Sequence, residues 1–220
     1  MDFRFSHQDE ALRREALEFV RREWDPKHYD PTGLYGWHHE DEGKNAHVNA
    51  FEKKLVNKGW WTMHWPTEHG GKGAGIETQL AYREAMAYAG APSALGGGLV
   101  APVLMIAGQE WMKKEFLPKL ANAEMDFSQG FSEPNAGSDL ANLKTSAVLD
   151  GDEYVVNGQK IWTSGAHHAE YCILLTRTDT SGSKHAGMAY FILDMKSPGI
   201  DVRPLVQVTG DPEFNEVFFN

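Results

Sequence analysis

Several features are scarce in this sequence, and each scarcity excludes a class of protein. The 220 residues include one cysteine, Cys172, so no internal disulfide can form and a reducing compartment is expected. Lys and Arg number 21 against 31 Asp and Glu, and no basic cluster offers a surface to duplex nucleic acid. No apolar run approaches the roughly 20 residues that cross a bilayer, and the first residues lack the order of a signal peptide. The sequence therefore predicts a soluble, cytoplasmic protein with neither nucleic acid nor membrane as partner.

The usual catalytic motifs are also missing. Ten histidines are present, but no His-x-x-x-His or Cys-x-x-Cys spacing occurs, so no metal site is predicted. There is no Gly-x-Ser-x-Gly motif, and Cys172 lies in Tyr-Cys-Ile-Leu-Leu, a sequence typical of a core strand. The glycine-rich stretch Gly70–Gly75 lacks the Lys-Ser/Thr ending of a phosphate-binding loop, so a tightly packed turn is favoured over a phosphate cradle.

Helical periodicity dominates the first part of the chain, and we assign residues 1–125 to an all-α N-terminal domain. Ser6 and Asp9 form a capping signature for a first helix, and residues 25–44 have no period and are predicted as loop. The segment Leu99–Ile106 is apolar on nearly all sides, which predicts a buried helix with Pro102 in its first turn. The predicted helices are Gln8–Trp24, one around Val48–Leu55 that ends at Gly59, Ile76–Tyr88, Leu99–Ile106 and Gln109–Leu120.

The period changes after residue 125, and residues 126–220 are predicted to form a small antiparallel β-barrel or sandwich domain. Its short segments are rich in β-branched and aromatic residues and are bounded by Gly, Asp, Asn, Ser or Pro. The sequence ends inside an apolar segment at Phe218-Phe219-Asn220, so we expect a truncated domain. The predicted strands are Lys144–Leu149, Tyr154–Asn157, Gln159–Thr163, Tyr171–Arg177, Met188–Asp194, Ile200–Val208 and Asn215–Phe219.

The residues that could carry chemistry lie between Phe131 and Gly165. The turn from Glu133 to Asp139 is dense in main-chain N–H groups and hydroxyls, which could bind the carbonyls of a heterocycle or of a pantetheine amide. Trp162 could stack on a flat ring while neighbouring hydroxyls reach its polar atoms. A simple turn followed by a core tryptophan explains the same residues, and the residues alone leave both interpretations open.

Two motifs in this stretch resemble those of the acyl-CoA dehydrogenase family. Phe131–Asp139, FSEPNAGSD, is similar to the first signature of that family, and Asn157–Gly165, NGQKIWTSG, is similar to the strand that follows it at the same separation. Upstream, Trp65–Gly73 resembles the Pro-x-x-x-Gly-Gly-x-Gly loop, and Glu115–Leu120 resembles the end of the helical domain. The resemblance covers nearly the whole chain and implies FAD as cofactor, held between the middle β-domain and a C-terminal helical bundle.

The resemblance also implies roles for individual residues. Ser138 would face the acyl-CoA, and Asn135 stands where many members have Gly. Ser132 would lie near the pyrimidine edge of the flavin, Trp162 would flank its isoalloxazine ring, and Ser164 would donate a hydrogen bond towards N5. The full set of implied flavin contacts is Gln129, Phe131, Ser132, Trp162, Thr163 and Ser164.

The implied reaction is α,β-dehydrogenation of an acyl-CoA thioester. In the family a carboxylate takes the α-proton while the β-hydrogen leaves as hydride to the flavin, and the electrons pass to a carrier such as an electron-transfer flavoprotein. The base normally comes from the C-terminal bundle, so we expect it beyond Asn220 and expect these 220 residues alone to be inactive. A homo- or hetero-oligomer is also implied. The alternatives are a flavin monooxygenase or nitroalkane oxidase on the same fold, or a non-catalytic partner subunit of a heteromer.

Overall fold

Two units make up the chain: a helical unit, Met1–Glu124, and a β unit, Met125–Asn220. The computed structural model describes residues 4–25, 27, 42–92 and 95–220. Most of the predicted loop at 25–44 falls outside these residues, and its last three residues, 42–44, lie in a helix and not in a loop. The helices of the described part are α1 His7–Glu23, α2 Glu42–Lys58, α3 Ile76–Tyr88, α4 Val100–Ala107 and α5 Glu110–Ala121.

Local signals in the sequence set the helix ends. The Ser6 hydroxyl accepts a hydrogen bond from the Asp9 main-chain N–H at 3.1 Å, which confirms the cap predicted for α1. α2 ends one residue before Gly59, whose φ of +64° is the left-handed conformation that closes helices. The helices then bury an aromatic core in which Phe19, Phe51 and Trp60 pack with ring centroids 5–6 Å apart.

The glycine-rich turn after Trp65 is a packed turn, as predicted. Its main-chain N–H groups are used internally: Gly71 donates to Pro66, Lys72 to Met63 and Gly73 to Trp65. A Cβ at Gly71 would lie 2.0 Å from the Trp65 carbonyl oxygen, so the backbone approaches the tryptophan as only glycine allows. Because these donors are occupied, the turn cannot cradle a phosphate group.

One expectation for the helical unit is wrong. Leu99–Ile106 was predicted to be buried on all sides, yet Leu99, Val103 and Ile106 are exposed, the last to 86%. Val100 and Leu104 are buried on the opposite face, and Pro102 does lie in the first turn of α4. An all-apolar sequence does not distinguish the face of a helix that packs on its own unit from a face that stays exposed. No helix in the described ranges has the length and apolar content of a membrane span.

The β unit is a curled sheet of seven strands. Six of them follow the order β1-β4-β2-β3-β7-β6, and β5 pairs with β4 outside this order. Its core is formed by Cys172 and Leu174 of β4 with Val217 and Phe219 of β7. Burial raises the pKa of the Cys172 thiol to about 11, so this cysteine is a core residue, as its sequence context predicted. The strands are β1 Phe127–Gly130, β2 Ser146–Asp150, β3 Glu153–Lys160, β4 Tyr171–Arg177, β5 Met188–Asp194, β6 Ile200–Leu205 and β7 Phe214–Phe219.

The sheet is mixed, so the predicted antiparallel barrel or sandwich is wrong in its strand directions. β1 runs parallel to β4 over four residues, and β2 meets β4 in parallel at Ser146 and Arg177. β1 was not predicted because Phe-Ser-Gln-Gly is short and lacks β-branched residues. The segment between β3 and β4 turns the chain again after the β2–β3 hairpin, and β4 therefore enters in the direction of β2.

The two strands predicted as Tyr154–Asn157 and Gln159–Thr163 form the single strand β3, which ends at Lys160, so the prediction is wrong for residues 161–163. Gly158 has φ +151°, and a Cβ there would lie 2.5 Å from Thr145 Oγ1 and 2.6 Å from Thr145 Cα. The glycine therefore permits β3 to continue past Thr145 without a break. This close approach brings the end of β3, where Lys160 lies, under the loop that precedes β2.

We expect Gly158→Ala to destabilise the β unit by about 3 kcal/mol, because it adds backbone strain to a clash with Thr145. Gly151→Ala is the matched control: Gly151 also has positive φ, but open space surrounds its Cβ position, so about 1 kcal/mol is expected. Urea unfolding of both variants measures the difference. Equal losses of stability would contradict the proposed close packing at Gly158.

Candidate functional site

A buried ion pair holds the two motifs of the β unit together. Lys160 Nζ lies 2.9 Å from Glu133 Oε1, and the two side chains are 0% and 9% exposed. The Glu133 carboxylate also accepts hydrogen bonds from the main-chain N–H groups of Lys144, at 2.7 Å, and Thr145, at 2.8 Å. The carboxylate therefore closes the loop from residue 133 to residue 145 around itself.

The chemistry of this pair follows from its surroundings. Burial raises the pKa of Glu133, but hydrogen bonds from Thr145, Lys160 and Lys144 outweigh burial and leave the pKa below its ordinary value. Burial lowers the pKa of Lys160, and Glu133 opposes that shift. With three donors around the carboxylate, the ionised pair is the state that the geometry supports. Glu133 is therefore an anchor for the loop and is not available as a base.

The same lysine places the first motif beside the end of β3. Lys160 Nζ donates to the Phe131 carbonyl at 3.0 Å, and the Ile161 N–H donates to the Ser132 carbonyl at 2.9 Å. The segments 131–133 and 160–162 thus run side by side, joined by three bonds when the ion pair is included. Ser132 and Trp162, which are 30 positions apart in the sequence, become near neighbours.

The start of β7 forms a third segment of the site, on the other side of Trp162. The Thr163 N–H donates to the Asn215 carbonyl at 3.0 Å, and the Gly165 N–H donates to the Glu213 carbonyl at 2.9 Å. The Asn215 amide nitrogen donates back to the Thr163 carbonyl at 2.9 Å. Residues 162–165 are therefore held between the first motif and β7.

Trp162 has an unusual backbone and an exposed side chain. Its φ is +59°, in the left-handed region that bulky residues rarely adopt, and 59% of the residue is exposed. Its ring contacts Phe214 edge to face, with centroids 6.0 Å apart. The alternative of a core tryptophan is therefore wrong. The chain accepts strain here and leaves an aromatic face open to solvent.

The other predicted site residues that carry polar side chains differ in exposure. Gln129 and Ser138 are exposed, and Ser132 and Ser164 are half-buried. Among the residues that the structure describes, none accepts a hydrogen bond from the hydroxyls of Ser132, Ser138 or Ser164. These groups are therefore available to a ligand.

Two predicted residues are less accessible. Phe131 is half-buried and packs edge to face on Tyr190, whose hydroxyl is buried with a pKa raised to about 12. Thr163 is 0% exposed, and its hydroxyl lies inside the unit. The structure therefore does not bring the Thr163 side chain to the surface with its neighbours Trp162 and Ser164.

The exposed set suits a flat heteroaromatic ligand with hydrogen-bond acceptors along its edge. An indole face supplies stacking area, and unpartnered hydroxyls flank it within a few residues. An isoalloxazine ring has these properties, so the donor set of this chain fits the flavin that the resemblance implies. A metal does not fit, because no group of three His, Cys, Asp or Glu side chains in the described ranges could hold one.

The sequence interpretation missed two residues that build this site. Lys160 was read as part of a motif with no role of its own, because most lysines on a strand are exposed and nothing in its sequence neighbourhood indicates burial. Asn215 was read as the first residue of a strand. Its polar side chain among the apolar residues of Phe214–Phe219 was the only available signal.

We expect Lys160→Met to destabilise the β unit by about 3–5 kcal/mol at pH 7, because it leaves Glu133 buried without its cation. The loss should shrink as the pH falls. In the wild type, the stability contributed by Glu133 declines below about pH 4.5, whereas in the variant protonation of a desolvated Glu133 restores stability. Chemical unfolding at several pH values measures both trends.

Lys184→Met is the control for that prediction, because Lys184 pairs with Asp139 at 2.8 Å with both side chains more than half exposed. About 0–1 kcal/mol is expected for this exposed pair. A loss at Lys160 no larger than at Lys184 would show that the buried pair is not the anchor.

Comparisons with known proteins follow the division of the chain. Residues 6–124 match the family model for the acyl-CoA dehydrogenase N-terminal domain, and residues 128–220 match the model for its middle domain. The acyl-CoA dehydrogenase IpdE1 of Mycobacterium tuberculosis is 42% identical over 174 residues, which cover 78% of this chain and 45% of the relative. The chain thus spans about half the length of the curated relatives that it matches.

Solved structures agree with these matches along the whole chain. The Tcur3481–Tcur3483 steroid ACAD has a TM-score of 0.86 and 32% identity, with 100% of this chain and 56% of that chain covered. The ChsE4–ChsE5 complex of Mycobacterium tuberculosis has a TM-score of 0.83 and 34% identity, with 100% and 55% covered. With both domain models matched in order and the two motifs joined by a buried ion pair, the chain belongs to the acyl-CoA dehydrogenase family.

Proposed function

We propose that this chain forms the flavin-facing wall of a FAD-dependent acyl-CoA dehydrogenase. The observation that carries the proposal is the exposed indole of Trp162, whose backbone is strained, together with the unpartnered hydroxyls of Ser132 and Ser164. When bound, FAD would accept a hydride from the β-carbon of the thioester. The chain's own part is to bind and orient the ring: Trp162 covers one region of it, and Ser132 and Ser164 donate to its edge.

The proposed contact set differs from the implied one at one position. We leave the Thr163 hydroxyl out, because it lies inside the β unit. Gln129 and Phe131 remain in the set, since Gln129 lies on β1, which leads into the first motif, and Phe131 is the first residue of that motif. Ser138 is exposed beyond the turn closed by Glu133 and Ala136, and we assign it to the acyl-CoA.

We assign the catalytic base to polypeptide outside these 220 residues. Glu133 is consumed by the ion pair, and Asp139, the next acid of the loop, is paired with Lys184. The same observation favours a second candidate function, a non-catalytic partner subunit that contributes part of a flavin site to a heteromer. Both structural neighbours named above are described as pairs of proteins, which supports a hetero-oligomer.

A steroid-derived CoA thioester is the substrate that we propose, because one of these neighbours is described as a steroid ACAD.

The exposed face of α4, formed by Leu99, Val103 and Ile106, adds support for assembly, since apolar faces of this kind mark contact sites. An electron-transfer flavoprotein is the proposed acceptor. None of these assignments depends on the chain acting alone.

The proposal is tested on the complete product of the gene, purified with any protein that copurifies. We expect bound FAD, and we expect its absorbance to be lost anaerobically when a steroid-derived acyl-CoA is added, faster than with a straight-chain acyl-CoA. Bound FAD without this reduction in any assembly would favour the non-catalytic subunit. Product formation that requires oxygen would favour a monooxygenase or nitroalkane oxidase, and absence of FAD would refute the proposal.

Ser164→Ala should weaken FAD binding about fivefold, because it removes one neutral hydrogen bond of about 1 kcal/mol. Ser183→Ala is the control, since Ser183 is exposed in the turn between β4 and β5. Titration of the cofactor-free protein with FAD, followed by flavin fluorescence, measures both constants. Unchanged affinity in the Ser164 variant would remove this residue from the contact set.

A further inference from the structure

The segment Trp162–Gly165 needs an external template to keep its shape. Trp162 has φ +59°, a conformation that costs energy for any residue with a bulky side chain. Such strain persists only where surrounding contacts over-determine the backbone. The contacts on the side of the first motif end at Ile161, whose N–H donates to Ser132. Contacts that hold the residues after Trp162 must come from elsewhere.

Glu213, which directly precedes β7, and the first two residues of β7 supply those contacts. Glu213 accepts a hydrogen bond from Gly165, the Phe214 ring lies against the Trp162 ring, and Asn215 bonds Thr163 through both its main chain and its side chain. The Asn215 amide nitrogen donates to the carbonyls of Thr163, at 2.9 Å, and Glu213, at 3.2 Å. One amide group thus joins the segment that follows Trp162 to the residue that precedes β7.

The polar groups at this junction are kept at a cost to stability. Asn215 and Thr163 are both 0% exposed, and Asn215 Oδ1 and Thr163 Oγ1 have no hydrogen-bond partner within the described part of the chain. Buried polar atoms without partners are destabilising, so an apolar side chain of similar size would serve the core better. What an apolar residue cannot do is donate to two carbonyls and fix their relative orientation.

We propose that Asn215 is a positioning residue that sets the conformation of Trp162 and Ser164. Its amide holds the Thr163 carbonyl, which fixes the Thr163–Ser164 peptide directly after the strained tryptophan. The consequence for FAD rests on the proposed function: the indole face and the Ser164 hydroxyl are presented together only while this amide is in place. Asn215 itself touches neither flavin nor substrate.

The test compares Asn215→Ala with Val217→Ala. Val217 lies two residues further along β7, is also 0% exposed, and belongs to the core of the β unit. Both variants are labelled with 5-fluorotryptophan, and the resonance of residue 162 is assigned by its loss in Trp162→Phe. We expect Asn215→Ala to shift or broaden this ¹⁹F resonance in the cofactor-free protein. We expect Val217→Ala to leave the resonance in place, although the melting temperature falls in both variants.

A second measurement links the conformation to the cofactor. In the complete gene product, Asn215→Ala should bind FAD about tenfold more weakly and with an altered flavin absorption spectrum, whereas Val217→Ala should bind it as the wild type does. If the ¹⁹F resonance moves but the wild type binds no FAD, the positioning role stands and the proposed function fails. An unmoved resonance, or an equal shift in Val217→Ala, would overturn the positioning role. If Asn215→Ala does not fold, Asn215→Ser, whose shorter side chain cannot span both carbonyls, takes its place with the same expected results.

Discussion

The site depends on the buried ion pair between Glu133 and Lys160. Removing two charges from water is expensive, and such a pair adds stability only when further hydrogen bonds complete its geometry. Here the carboxylate gains two main-chain donors, and the ammonium gains the Phe131 carbonyl. The pair therefore closes the loop of the first motif and sets that loop beside the end of β3. Without Lys160, the hydrogen bond from the Ile161 N–H to the Ser132 carbonyl would be the remaining one of the three bonds that join segments 131–133 and 160–162.

Some polar groups of the site bind neighbouring segments of the chain, and other groups remain open to a ligand. The carbonyls of Ser132 and Thr163 and the N–H of Gly165 are consumed by neighbouring segments. What stays open is an indole face and a few hydroxyls. Strain at Trp162 is consistent with this division, because a relaxed backbone gains stability but does not present the ring at the surface. The acid of the first motif, Glu133, is held in the ion pair and serves as a structural anchor.

Local patterns in the sequence predicted much of the fold, and contacts between distant residues decided the rest. Helix Ile76–Tyr88 and strand Tyr171–Arg177 were predicted to the residue, because periodicity and flanking breakers coincide there. Strand direction was not predictable, since parallel pairing is set by how the chain returns and not by composition. The resemblance could name Trp162 as a site residue. Neither it nor the pattern could show the left-handed backbone, nor that Asn215 holds it, because that contact spans 52 positions.

Three hydrogen-bonded segments hold Trp162 and Ser164, and we propose that they present both residues to a flavin. Amide hydrogen exchange, followed residue by residue in the complete gene product, tests this arrangement. We predict strong protection at Ile161, Thr163 and Gly165 with or without FAD, and fast exchange at Trp162 and Ser164 that slows when FAD is bound. Fast exchange at Ile161 and Thr163 would show that the hydrogen-bonded segments do not hold this part of the chain. No change at Ser164 on saturation with FAD would show that this residue does not face the flavin.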